Sequence, residues 1–334
     1  MPKLTPIVVL TPVKNEGWCL RGFLECTSLW ADALLISDQS DDDEVLSLVS
    51  EFDKVQVIRN ESSEFNEMEN RSNLLLEGRR RYGRSIFISL DADERLTANI
   101  LDVELQNRLR NLEPGIAVSI PFLNLKSEAE GWIVPLDPIC FSDDGREPEN
   151  SSPIHFPRSC FASFEKVVDF GLLTMHLQYL DFDRFESKMR WYKCLEIVKF
   201  GERNPIALYR RYRHLDAISD KDMVEILVEW TERYVLRGVD PFHFERSRKY
   251  WWEEEADKLF DLLTLESKYL FNSVDGRIAR PSPNVTLLQS VIFYYLRFTM
   301  PFYKGGRKSI AFVTLYALDV ILSSFTRRFA IKEN

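Results

Sequence analysis

The chain has 334 residues, is 45% hydrophobic and 28% charged, and carries a formal net charge of −9. That balance describes a globular protein with a sizeable core, built as one large domain or two modest ones. It excludes a general nucleic-acid-binding role, because no basic field is present to neutralise phosphates. Five cysteines (Cys19, Cys26, Cys140, Cys160 and Cys194) are odd in number and form no C-x-x-C pair. They predict reduced thiols and a cytoplasmic setting, with neither a disulfide framework nor a zinc site. The N-terminal apolar stretch is too short for a signal peptide and runs into charged residues.

In chain order, "IVVLT" at 7–11 is a continuous β-branched run, as expected of a strand covered on both faces. A helix follows around 18–29. "ALLIS" at 33–37 predicts a second strand, with a helix after the acids at 41–44. "VQVI" at 55–58 predicts a third strand, and a helix over 65–81 leads to a fourth, "SIFISL", at 85–90. This alternation predicts an α/β fold, a mostly parallel sheet flanked by helices. "IAVSIPFL" reads as another strand, and 128–158 as a loop rich in Pro, Ser and acids. A helix is expected from near Asp181. From about 205 the pattern is helical, over 221–237, 242–270, 285–299 and 309–328. The expected domains are 1–204 and a helical extension, 205–334.

Three of the four early strands end in polar sequence: "TPVKNE", "SDQSDDD" and "DADE". Ligands of parallel α/β sheets gather at the carboxyl ends of strands, so convergence there predicts a site. Asp91 and Asp93 are separated by one residue at a strand end, where two carboxylates can share a divalent cation that clamps phosphates. The bland alternative is a solvated turn in which Asp93 or Glu94 caps a helix starting near Thr97. No G-x-G-x-x-G and no G-x-x-x-x-G-K-[ST] is present, so dinucleotide and P-loop readings lack their phosphate cradles. An apolar strand running into D-x-D also opens the haloacid-dehalogenase-like phosphatases. There the motif lies on the first strand; here three strands precede it, and Arg95 stands where Thr or Val is usual.

"VVLTPVKNEGWCLRGFLE", "LLISDQSDDDEV", "RSNLLLEGRRRYGRSIFISLDADE" and "MHLQYLDFDRFESKMRWY" together resemble family 2-type glycosyltransferases of the GT-A fold, over roughly residues 5–200. The resemblance implies metal-dependent, inverting transfer of a sugar from a nucleoside-diphosphate sugar to the hydroxyl of a glycan or lipid-linked acceptor, in cell-surface glycan assembly. It implies that Thr11, Pro12, Lys14, Asn15 and Glu16 line the nucleotide and that Asp38 contacts base or ribose, while Asp41 and Asp42 serve as well for helix capping. Arg71 is placed near the nucleotide or its phosphates, and Lys188 or Arg190 near the diphosphate. Asp91 serves ribose or a water-mediated metal contact, Asp93 the metal directly, with Glu94 orienting them. His176 returns to a Mn2+ or Mg2+ ion, imidazole being an acceptable manganese ligand. The Glu-Asp pair of many relatives is missing from 155–180. Glu165 and Asp169 are therefore the candidate general bases, with Asp143 and Asp144 in the loop before them, and His155 and Arg158 fall where an acceptor loop crosses. Two other readings stay open: binding of a nucleotide sugar without turnover, and a phosphatase or nucleotidyltransferase using the same acids.

The C-terminal segment is basic: from Arg277 onward nine Lys or Arg stand against Asp319 and Glu333. Two apolar helical patches, separated by Pro301 and Gly305-Gly306, are too short to span a bilayer. Residues 281–334 either lie on an anionic membrane surface, at its inner face, with Arg297, Lys304, Arg307, Lys308, Arg327 and Arg328 near headgroups, or pack as core helices on the catalytic domain or a twin subunit.

Overall fold

The computed structural model describes residues 4–41, 43–62, 65–150, 153–202, 204–212, 218–246, 250–263, 287–305 and 310–325. They fall into two compact units, Met1–Asp181 with Met223–Ser247, and Phe182–Asp222 with Arg248–Asn334.

The first unit is mixed α/β with two sheets. Strands β1 (Ile7–Val13), β2 (Ala33–Asp38), β3 (Val55–Arg59) and β4 (Ile86–Ser89) alternate with helices α1 (Gly17–Ser28), α2 (Glu44–Val49) and α3 (Glu67–Tyr82). The four strands pair in parallel in the order β4-β1-β2-β3. Period-2 geometry divides β1 between two cores. Ile7 and Val9 pack with Leu20, Phe23 and Leu24 of α1, while Val8 and Leu10 pack with Leu74 and Leu75 of α3. Burial on both faces is why β1, β2 and β4 are continuous apolar runs. The chain leaves β1 toward β2 on one side and returns as β4 on the other. That reversal makes the crevice above β1 and β4 a topological switch point.

After β4 come a short strand β5 (Glu94–Leu96), a 3-10 turn at Ala98–Leu101 and helix α4 (Val103–Arg110). Asp102 caps α4, its carboxylate accepting from Glu104 N at 2.8 Å. The chain after the D-x-D is thus a strand, and the helix-cap alternative for Asp93 or Glu94 does not hold. "IAVSIPFL" is two strands, β6 (Ile116–Ser119) and β7 (Phe122–Leu125), in different sheets. They are parted at Pro121, which has no N–H for a ladder.

The loop expected over 128–158 contains β8 (Glu130–Val134) and β9 (Cys140–Ser142). The β9 strand lies antiparallel between β4 and β6, and three residues are too few to show a period. With β10 (Lys166–Asp169) parallel to β6, the first sheet runs β10-β6-β9-β4-β1-β2-β3. Strand β11 (Thr174–His176) joins β5 and β7 in the second sheet, which with β12 (Met223–Glu225) runs β12-β8-β7-β11-β5.

The helix expected over 221–237 is instead β12 (Met223–Glu225), a 3-10 turn at Val228–Trp230 and a short helix, α7. Val224 and Ile226 pack on the first unit's core on either side of the exposed Glu225, and β12 pairs antiparallel with β8, a tertiary pairing that outweighs helix propensity. Helix α7 (Glu232–Val235) is anchored by the buried Tyr234, whose hydroxyl donates to Leu96 O at 3.0 Å.

The second unit holds α5 (Phe182–Val198), α6 (Pro205–Tyr212), α8 (Glu253–Asp261), α9 (Leu287–Thr299) and α10 (Ile310–Phe325). The helix expected over 242–270 is therefore shorter. Residues 241–246 belong to the first unit, where Glu245 N donates to Trp18 O at 2.6 Å.

All five cysteines are free and buried. Burial pushes the Cys26 thiol up to about 12 and the Cys160 thiol up to about 11, and also raises Cys140. A disulfide exchange reagent at pH 8 is expected to find almost no reactive thiol in the native protein and all five after denaturation. Rapid native labelling of any of the three refutes this.

Candidate functional site

Strand pairing assembles the site. Antiparallel pairing of β11 with β5 sets His176 opposite Glu94, and parallel pairing with β7 sets it beside Asn124. Leu177 N donates to Asp93 O at 2.9 Å, which fixes the loop between β4 and β5 against β11. Asp93, Glu94 and His176 are all buried, and one ligand atom from each lies within 4.8 Å of the others. His176 Nε2 is 3.8 Å from Asp93 Oδ2.

The imidazole is oriented from behind. His176 Nδ1 is 2.9 Å from Asn124 Oδ1. An amide oxygen only accepts, so Nδ1 carries a proton and Nε2 is the ring nitrogen turned to the Asp93 side. Phe122 stacks on the ring with centroids 4.7 Å apart, and Tyr179 meets it edge-on at 5.7 Å. Gly131 of β8 permits the close strand approach behind Asn124, since a Cβ there would lie 2.3 Å from the Asn124 carbonyl oxygen. Gly131→Ala is expected to cost about 1–3 kcal/mol through forced backbone displacement and to weaken whatever His176 holds. Denaturation midpoints and metal-dependent thermal shifts read the two effects.

Asp91 is held differently. Arg71 Nη2 lies 3.0 Å from Asp91 Oδ1, and Arg158 Nη2 lies 3.0 Å from Asp91 Oδ2. Arg158 Nη1 also donates to Glu94 Oε2 at 2.5 Å, and Asp91 N donates to the same oxygen at 3.0 Å. The site therefore joins three carboxylates with two arginines.

Burial pushes the Glu94 carboxyl up to about 7; Arg158 opposes that shift, and the charges of Asp91 and Asp93 add to it. Burial works against the Arg158 charge, but Asp91 and Glu94 outweigh it and raise its pKa. Arg71 shows the same balance, burial being outweighed by Asp91.

Glu94 Oε1 is buried with no hydrogen-bond partner among the described residues. An orphaned carboxylate oxygen costs free energy unless a cation or proton meets it. Two carboxylates and an imidazole are also the oxygen and nitrogen donors that Mn2+ or Mg2+ accepts. The donor set fits a divalent cation. The structure brings Asp93 and His176 together with Glu94, while Asp91 is engaged by the two arginines.

At the neighbouring strand ends, Thr11 and Pro12 close β1, with the Thr11 hydroxyl buried and lacking a partner among the described residues. Lys14 and Glu16 are half-buried, and the Trp18 indole N–H donates to Glu16. Asn15 adopts φ 52° and exchanges hydrogen bonds with Asp41 at 2.8 and 2.9 Å. Asp38 is fully buried. Its Oδ1 accepts from Ser40 N at 2.9 Å and its Oδ2 from Arg59 at 2.7 Å, so it braces the loop after β2. Asp42 lies outside the described residues.

Glu165 and Asp169 are exposed on or beside β10, the outermost strand. Glu165 precedes β10, at the end away from the crevice. Asp169 closes β10 at the crevice end, but three strand spacings from β4, about 14 Å. Neither is brought to the cluster. Asp143 pairs with Arg79 at 2.7 Å and Asp144 with Arg146 at 3.6 Å. Lys188 and Arg190 belong to the second unit, where Lys188 lies over Trp252 and Arg190 pairs with Asp257. His155 is exposed at φ 58°.

The first unit is thus a mixed α/β protein with a buried acid–histidine cluster at its switch point. No family profile and no curated protein matches the chain. A solved structure, that of 4-diphosphocytidyl-2C-methyl-D-erythritol synthase, is similar at 12% identity over 43% of this chain and 74% of that one, with a TM-score of 0.28. A likeness that loose carries no argument about activity.

Proposed function

We propose that this chain is a divalent-metal-dependent glycosyltransferase of the GT-A type. It transfers a sugar, with inversion, from a nucleoside-diphosphate sugar to an acceptor hydroxyl in cell-surface glycan assembly. The observation that carries the reading is the triad of Asp93, Glu94 and His176 at the switch-point crevice, with Glu94 Oε1 buried and unsatisfied. A cation held there supplies positive charge against the departing diphosphate. Asn124 keeps His176 Nε2 turned to the cluster, and Arg158 keeps Glu94 and Asp91 close without neutralising them by protons. The loop 11–16 and Arg71 border the same crevice and contact the nucleotide. A cytoplasmic setting fits the free, buried thiols.

Of the two candidate bases, Asp169 is at the crevice end of its strand. Its separation from β4 favours a second reading, in which a nucleotide sugar is bound without turnover. Thermal-shift measurements with UDP, GDP, CDP and dTDP, with and without Mn2+ or Mg2+, test the binding half. One nucleotide is expected to shift the midpoint only with metal, and Asp93→Ala to abolish that shift. A nucleotide response untouched by metal and by Asp93→Ala would sink the assignment. Donor hydrolysis or transfer by the wild type, lost in Asp169→Asn with nucleotide binding retained, supports the base; binding without either supports the second reading.

A further inference from the structure

Helices α9 and α10 of the second unit expose apolar residues, and α10 also turns polar ones inward. On α10, the residues at helical spacing that turn inward include Asp319 and Ser323. Asp319 is buried, accepting from Arg210 Nε at 2.9 Å and from the Tyr295 hydroxyl at 2.8 Å, and Ser323 exchanges hydrogen bonds with Asn204 at 3.0 and 3.2 Å. Beside these on α10, Val313, Tyr316, Val320 and Ile321 are exposed and apolar. On α9, Leu296 and Met300 beyond its end pack with Ile206 and Tyr209 of α6, while Val291, Tyr294 and Phe298 stand exposed, Phe298 at 75%. A helix in water normally keeps its outward residues polar. Exposed valine, isoleucine, tyrosine and phenylalanine grouped on these two helices mark a face that meets a non-aqueous partner.

Charge identifies the partner. From Leu287 to the end the sequence holds seven Lys or Arg against Asp319 and Glu333. Asp319, the one acid within α9 and α10, is withdrawn into its pair with Arg210. An isologous contact between two copies would set this basic segment against itself, like charge facing like. A surface of anionic headgroups attracts a segment of that sequence charge, with Arg297 exposed on α9, and takes tyrosine and phenylalanine at its interface. At 13 and 16 residues the helices are short, and among the described residues no helix is long and apolar enough to cross a membrane. They suit lying in the interface plane. We propose that the exposed face of α9 and α10 seats this protein on an anionic phospholipid surface, independently of the transferase reading.

The test is flotation of the full chain with vesicles of phosphatidylcholine alone or with roughly one part in three phosphatidylglycerol. The anionic vesicles are expected to recover about tenfold more protein at low salt, falling as salt rises. Phe298→Glu with Val320→Glu, both at exposed positions, is expected to lower that recovery about tenfold at an unchanged melting midpoint. If that variant melts early, Val313→Glu makes the same comparison. Equal recovery from both vesicle types, no recovery from either, or undiminished recovery of a folded glutamate variant overturns the proposal. So does concentration-dependent self-association, seen by light scattering and dispersed by the same substitutions, in a protein that does not float.

Discussion

Replacing Arg158 by methionine is expected to destabilise the metal-free protein by about 3–5 kcal/mol at pH 8, and by clearly less at pH 5. Arg158 touches both Asp91, at 3.0 Å, and Glu94, at 2.5 Å. Methionine keeps much of the apolar stem and gives up the guanidinium, whose central carbon lies 5.0 Å from the Phe122 ring centroid, so the loss is chiefly one of charge. Asp91 retains Arg71, but Glu94 is fully buried and, among the described residues, Arg158 is the cation it pairs with. Breaking a buried pair by removing one partner leaves an uncompensated charge, and that is the expensive direction. At pH 5 the carboxyl that titrates at about 7 is already protonated, so most of the charge that needs Arg158 is gone. Denaturant titrations at the two pH values measure the difference. The double variant with Glu94→Gln should recover most of the loss at pH 8, because the orphaned charge is removed with its partner. An equal loss at both pH values would mean that Arg158 acts by packing alone.

The alternation that built the first sheet was legible because β1, β2 and β4 are covered on both faces and so carry uninterrupted apolar residues. The crevice was legible too, because polar sequence follows those strands at one end. What pairs across the second sheet was not. β5 and β11 have three residues each, too short for a period, and nothing local says that His176 faces Glu94 and Asn124. The buried Asn124 within "FLNL" was the available signal, since a polar residue inside an apolar strand is there to hold something. Glu94 reads in the sequence as an orienting neighbour for a related reason. In the sequence it is one acid among three, and only burial separates it from Asp91, whose side chain is 30% exposed and carried by two arginines. Arg158 sits in a segment of short, irregular turns, so its reach to both acids depends on where that segment folds back.

Glu94→Gln is expected to stabilise the metal-free protein at pH 8 and to remove its response to Mn2+. The unfolded carboxyl titrates near 4.5 and the folded one at about 7. Between those values the folded state holds a proton that the unfolded state has lost. The stability this contributes is complete below pH 4.5 and is lost as pH rises through 7. At pH 8 the wild type carries a buried carboxylate at a cost of about 3 kcal/mol, and glutamine, neutral and of the same shape, does not. A divalent cation at Asp93, Glu94 and His176 meets the same charge in the proton's place, so binding releases protons, and the Mn2+ shift of the wild type should grow from pH 6 to pH 8. The variant should show a flat response over that range and a higher midpoint without metal. Melting curves of both proteins at several pH values, with chelator or Mn2+, separate the possibilities. A metal shift in Glu94→Gln as large as in the wild type would place the cation elsewhere. A variant less stable than the wild type at pH 8 would show that the bond to Arg158 outweighs the cost of burying the charge.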